Sequence, residues 1–130
     1  MARYIVDGMN VIGSKPDGWW RDRDGAVRRL LRRLQHAAER SPDEFTLVLD
    51  GGPLRDLPEG VPGGVTVRYA GRRGRDAADD RIVELVRAGE DPESLRVVTS
   101  DRALADRVVA GGATTEGAGA FLRRLEQLGA

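Results

Sequence analysis

Several aspartates in this chain stand where folding could bring their carboxylates together. Asp7 follows the apolar run Tyr4-Ile5-Val6, Asp50 follows Phe45-Thr46-Leu47-Val48-Leu49, and Asp101 comes just after Leu95-Arg96-Val97-Val98-Thr99. Asp79 and Asp80 lie three and four residues beyond Asp76, a spacing that shares one face of a helix. Carboxylates crowded into one crevice repel one another unless a cation offsets the charge. Hard divalent ions such as Mg2+ or Mn2+ take oxygen ligands, often few from protein, with water and substrate phosphate filling the rest. Such a site lowers the pKa of a bound water and stabilises the oxygens of an in-line displacement at phosphorus. The absence of cysteine and the lone histidine, His36, argue against a zinc centre and against a histidine-centred triad.

Each acid also has a plainer reading. Asp76 suits a helix N-cap with Asp79 three residues on, as in a capping box, and Asp101 after Ser100 could cap a following helix. Carboxylates also suit the positive end of the helix dipole. Caps leave Asp7 unexplained, because no obvious helix opens after it. Asn10 could orient one of the carboxylates or serve only as a turn residue. Arg68, Arg72, Arg73 and Arg75 lie on and after an apolar stretch that directly precedes the acidic helix, and could hold a polyanion against a metal. Lys15 and the tandem Trp19-Trp20 follow the first strand; the indoles could stack on unpaired bases, or one could pack the start of the next helix.

Strands and helices alternate around these residues. Short apolar runs bounded by turn residues read as buried parallel strands: the one ending at Asp7, then 45–49, 65–69, 95–99 and a short one at 113–115. Val27, Leu30, Leu31, Leu34, Ala37 and Ala38 form one apolar stripe of a helix from Asp22 or Asp24 to about Arg40. Arg28, Arg29, Arg32 and Arg33 fall off that stripe, as a solvated face that could alternatively meet phosphates. Further stripes are Ala78, Ile82, Leu85 and Val86, stopped by Gly89, and Leu104, Ala105, Val108 and Val109, stopped by Gly111-Gly112. A last helix covers 118–128, while 13–18 and 51–64 read as loop. This order predicts an α/β fold: a three-layer α-β-α, Rossmann-like domain over residues 1–130 with a four- to five-stranded, mostly parallel sheet. In such a sheet every strand's carboxyl end points one way, toward the ligand crevice, so distant acids can meet there.

Composition narrows the class. A chain of 130 residues with 40% hydrophobic and 32% charged residues is an ordinary globular domain with a real core. Its 21 basic and 21 acidic residues cancel, which excludes a generic polycation that coats nucleic acid, and Lys15 is the only lysine. No disulfide framework is available, and neither an export signal nor a membrane span is visible, so a cytoplasmic setting is expected.

Four segments in order carry a resemblance: VDGMN with the following VIG (Val6 to Gly13), LVLDG (Leu47 to Gly51), DAADDRIVELV (Asp76 to Val86) and VVTSD (Val97 to Asp101). Each is weak alone, but together they resemble the NYN-domain branch of the PIN-like ribonucleases, most closely the bacterial single-domain mRNA endonuclease group. The resemblance implies a Mg2+- or Mn2+-dependent endoribonuclease that leaves 5′-phosphate ends. It places Asp7, Asp79 and Asp101 at the core metal-binding positions and Asp76 and Asp80 at variable additional ones. Asn10 falls at the asparagine of the family's name, and Asp50 at an acid that the bacterial members carry after the second strand. RNA would be the partner, mRNA foremost, with the domain itself or the ribosome supplying substrate choice; a monomer or weak dimer is expected.

Competing folds lack their signatures. A receiver domain needs a late lysine, a P-loop needs a glycine-rich loop ending in Lys-Ser or Lys-Thr, and a dinucleotide site needs GxGxxG after the first strand. A haloacid-type phosphatase needs an aspartate two places after Asp7, where Met9 stands. The remaining alternative is a domain of this fold that binds RNA or the ribosome with little catalysis.

Overall fold

The computed structural model describes residues 1–130, apart from the side chain of Arg75. Five strands, β1 (Arg3–Asp7), β2 (Glu44–Leu49), β3 (Val65–Tyr69), β4 (Leu95–Val98) and β5 (Thr114–Glu116), form one sheet in the order β3-β2-β1-β4-β5. Every neighbouring pair is parallel, with Val6 level with Leu47 and Val98. The sheet is therefore wholly parallel, within the mostly parallel arrangement expected. Helices α1 (Gly8–Gly13), α2 (Arg23–Arg40), α3 (Arg75–Ala88), α4 (Arg102–Ala110) and α5 (Ala118–Gln127) cover its two faces.

Strand alternation divides the core between those faces. Tyr4 and Val6 join Leu47, Val98, Leu34 and Phe121 beneath α1, α2 and α5. Ile5 faces the other way, among Val48, Ile82, Val86, Val97, Leu104 and Val108 beneath α3 and α4. Burial on both faces is why the central strands read as continuous apolar runs. Tyr4 stacks on Phe45 at 5.3 Å between centroids and meets Phe121 at 5.4 Å. The long loop 50–64 is pinned by Tyr69, whose hydroxyl donates to the Leu57 carbonyl at 2.6 Å. Burial pushes both tyrosine phenols, Tyr4 and Tyr69, upward.

Several boundaries differ from those read in the sequence. Helix α1 lies where turn and loop are expected, because six residues, with a glycine at each end, are too few to display a helical period. The N-cap of α3 is Gly74, two residues ahead of Asp76, which therefore lies inside the first turn and not at the cap. Val109, expected inward, is 55% exposed; α4 has only nine residues and seats one stripe, Leu104 and Val108. Leu85 and Ala38 lie at the margins of the core for the same geometric reason, each at the edge of its helix's apolar face. Among the described residues no helix is long and apolar enough to cross a membrane.

Candidate functional site

Between β1 and β4 the strand order reverses, and the crevice beyond the strands' carboxyl ends is where such a sheet accepts ligands. Asp7 ends β1 on the face of Ile5, the side covered by α3 and α4, and is 5% exposed. Desolvating a carboxylate costs several kcal/mol unless hydrogen bonds or charges compensate, so the surrounding chain must supply them to Asp7. One compensation is Thr99, whose hydroxyl donates to Asp7 Oδ2 at 2.9 Å. The same hydroxyl accepts from the Asp101 amide at 3.1 Å. Thr99 thus couples the end of β1 to the start of α4. In the sequence Thr99 reads only as the end of a strand, and no local signal distinguishes it from any β-branched strand residue.

Asp101 caps α4: its Oδ1 accepts from the amides of Ala103 and Leu104 at 3.0 and 3.3 Å. Asp101 thus caps α4 and also lines the pocket described below. Asp7 occupies the N-cap position of α1, yet its side chain makes no capping bond to that helix. Gly8 follows it because a side chain there would drive into Leu49, Leu47 and the Val48 carbonyl, the nearest of these only 2.7 Å from where a Cβ would stand. Close approach of α1 to β2 therefore demands the glycine.

Asn10 Oδ1 accepts from the Ser100 amide at 2.8 Å, and Ser100 Oγ accepts from the Ala118 amide at 2.9 Å. Asn10 thereby pins the β4–α4 turn. Asp7, Met9, Asn10, Ser100 and Asp101, with Trp19 at the rim, line an open pocket of about 410 Å³.

Asp79 is 7% exposed and sits one turn ahead of Ile82 and Val83 on the buried stripe of α3. The right-handed crossover from β3 brings the start of α3 to the sheet's carboxyl edge, on the face to which Asp7 points. Asp76 and Asp80 diverge from it. Asp76 is exposed in the first turn, and Asp80 accepts from Arg72 at 3.0 Å and from Arg107 of α4 at 3.1 Å. Asp50 turns elsewhere: its Oδ1 is paired with Arg23 and its Oδ2 accepts from the Gly74 amide at 3.0 Å. It ties the starts of α2 and α3 to the end of β2.

The basic and aromatic candidates separate too. Arg72 is bound to Asp80, Arg73 borders Asp50 and Gly51, and Arg68 points back to the Val67 carbonyl. The side chain of Arg75 lies outside the described residues. Lys15 sits on the opposite side of α1 from the acids. Trp19 packs on the core edge-on to Trp20 at 6.1 Å, while Trp20 remains 58% exposed with the Arg21 guanidinium 5.9 Å from its ring.

The donors gathered at this edge are oxygens, which suits a hard divalent cation and not zinc. Among the described residues, no three carboxylate or imidazole groups already converge as a metal cage. A Mg2+ ion needs only one or two carboxylates when water and phosphate complete its shell, so Asp7 and Asp101 satisfy that requirement in kind.

Known proteins of this architecture exist. The crystal structure of Rae1 (YacP) from Bacillus subtilis matches with a TM-score of 0.77 at 23% identity, over 98% of this chain and 75% of that one. A tryptophan-to-leucine mutant of the same protein gives 0.78 at 23% identity, over 98% and 77%. These likenesses establish the fold. No curated protein sequence matches significantly. The YacP-like NYN domain matches residues 4–130, so the chain belongs to that family, and membership supports a function of the ribonuclease type.

Proposed function

We propose that the chain is a Mg2+- or Mn2+-dependent endoribonuclease that hydrolyses RNA, mRNA foremost, to leave 5′-phosphate ends. Asp7, Asp79 and Asp101 would hold the ion, with Asp76 and Asp80 as outlying acids. When bound, the ion would acidify a water and stabilise charge on the phosphate oxygens. Thr99 and Asn10 act through position: Thr99 holds Asp7 to the Asp101 backbone, and Asn10 fixes the turn that carries Ser100 and Asp101. Asp7 and Asp101, held by these bonds at one pocket, are oriented before substrate arrives, which is where such sites gain rate. Trp20 offers an exposed face for a base, and ribosomal presentation of mRNA fits a domain with few dedicated RNA contacts.

The observation that carries this reading is the coupling of Asp7 to the Asp101 segment through one threonine, in an open pocket at the β1–β4 crevice. The test is incubation of a structured mRNA with Mg2+ or Mn2+, wild type beside Asp7→Asn, with new 5′ ends mapped. Discrete ends carrying 5′-phosphate, lost in EDTA and in the variant, are expected. Ends that persist in Asp7→Asn would sink the proposal. A second reading, an RNA-binding domain with little catalysis, draws on the lack of a ready-made three-carboxylate cage among the described residues. It predicts RNA binding indifferent to EDTA and to Asp79→Asn.

A further inference from the structure

Helix α1 has two working sides. Met9, Asn10 and Gly13 line the acidic pocket, whereas Val11 and Ile12 face a second cavity of about 210 Å³ between α1, α2 and α5. The chain continues the division past the helix, Ser14 bordering the first pocket and Lys15 the second. An α-helix with its side chains is about 10–12 Å across, so openings on its two sides are neighbours on the scale of a few nucleotides.

The second cavity has an apolar floor of Val11, Ile12, Leu30 and Leu122 under a rim of Lys15, Arg29 and Arg33, with Asp17 the one acid at its edge. Arg33 is oriented by its Nε bond to the Ala130 carbonyl at 3.2 Å. Lys15 and Arg29 form no ion pair among the described residues, although Arg28, beside Arg29, is clamped to Asp56. Cations that keep no carboxylate partner, above an apolar surface, complement a ligand with anionic and flat apolar parts.

We propose that this cavity seats a nucleotide of the single-stranded RNA that enters the acidic pocket, its phosphate on Lys15 and Arg29 and its base against the apolar floor. The inference rests on the ribonuclease reading and extends it, giving the substrate a path over α1 rather than along the Arg68–Arg75 loop. Arg72 is already bound to Asp80 on that loop, while Lys15 and Arg29 are exposed and unpaired among the described residues.

The test is fluorescence anisotropy of a labelled oligouridylate, measured on Asp7→Asn protein so that the RNA stays intact, with cleavage assayed separately on otherwise wild-type chains. Lys15→Glu and Arg29→Glu are each expected to weaken binding about tenfold and to lower the salt dependence by about one phosphate contact. Arg32→Glu makes the same charge change on an exposed turn of α2 outside the cavity and should weaken binding less than about twofold. Unlabelled RNA should displace the probe better than inorganic polyphosphate of equal charge. Equal losses from Arg29→Glu and Arg32→Glu, or equal displacement by polyphosphate, would overturn the nucleotide site and leave the ribonuclease reading standing. Full affinity in Lys15→Glu and Arg29→Glu, with the wild type still cutting RNA, would do the same. A wild type that neither binds nor cuts RNA overturns both.

Discussion

The same dipeptide, Asp-Gly, follows the apolar run of two neighbouring strands of this sheet, and the two carboxylates meet different partners. At the end of β1, Asp7 is buried on the α3–α4 side and takes the Thr99 hydroxyl. At the end of β2, Asp50 is claimed by the Arg23 guanidinium on one oxygen and the Gly74 amide on the other. The glycines differ as well. Gly8 is needed because α1 presses on Leu49 and the Val48 carbonyl, whereas Gly51 sits at φ +74° in a left-handed turn. An apolar strand ending in a carboxylate therefore marks the ligand edge of a parallel sheet, but long-range partners decide whether that carboxylate is chemistry or scaffold. Both oxygens of Asp50 already serve as mortar between α2, β2 and α3.

Substitutions of the two acids should separate sharply. Asp7→Asn is expected to lower RNA cleavage by about a hundredfold or more, the size of losing one pre-set charged group in an active site. Asp50→Asn should leave cleavage within about threefold but cost about 1–2 kcal/mol of stability, since it leaves Arg23 half-buried without its acid. Cleavage rates and urea unfolding midpoints check both. Equal loss of cleavage from the two variants would erase the distinction between them.

Thr99 sharpens the same comparison, because its hydroxyl is what the Asp50 corner lacks. Thr99→Val keeps the shape and removes both the donor to Asp7 Oδ2 and the acceptor for the Asp101 amide, at about 1–3 kcal/mol. Cleavage should fall about tenfold or more as Asp7 loses its register, and Thr99→Ser should recover most of it. A valine variant with lost stability and unchanged kcat would make Thr99 structural alone.

The glycines can be set against each other next. Gly8→Ala forces a Cβ into contact with Leu49 at 2.7 Å and the Val48 carbonyl at 3.0 Å, an overpacking that should cost about 1–3 kcal/mol and shift α1 away from β2. Gly51→Ala meets only the Arg73 stem at 3.5 Å, so its cost is the left-handed backbone alone, about 1–2 kcal/mol. Only the first should also reduce cleavage, because α1 carries Asn10 and follows directly on Asp7. Unfolding midpoints and cleavage rates of the two alanine variants, measured side by side, check this.

How far these differences could be read in advance depends on their range along the chain. Strand β3 at Val65–Tyr69 and the stripe of α2 are legible because period and composition are local properties. The convergence of Asp7 and Asp101 follows from parallel topology, and Asp101 as cap from Ser-Asp before an apolar helix. Helix α1 is hidden by its length, and Arg23 as the partner of Asp50 by a separation of 27 residues that no spacing rule covers. The reach of Asn10 to the Ser100 amide spans 90 residues and depends on β1 lying against β4, which only the folded sheet reveals.

Asp56 supplies the weakest contrast, an aspartate held by arginine at the solvent surface. Arg28 grips it through Nε and Nη2 at 2.7 and 2.8 Å, and that hydrogen bond holds the Asp56 carboxyl below the usual carboxylate range. A depressed native pKa means that the folded chain binds fewer protons than the unfolded one between the two values, so stability rises with pH across that window. The contribution is present above the unfolded-state pKa and is lost as pH falls through the native one. Both side chains are close to half exposed, so salt screens the pair and the effect on unfolding should be the smallest in this series. Carboxyl NMR titration should show Asp56 ionising below ordinary aspartates at low salt, and Arg28→Gln should bring it back into their range. An Asp56 that titrates normally in the wild type would mean the fork is not populated in solution, and would free Arg28 to join Arg29 on the basic side of α2.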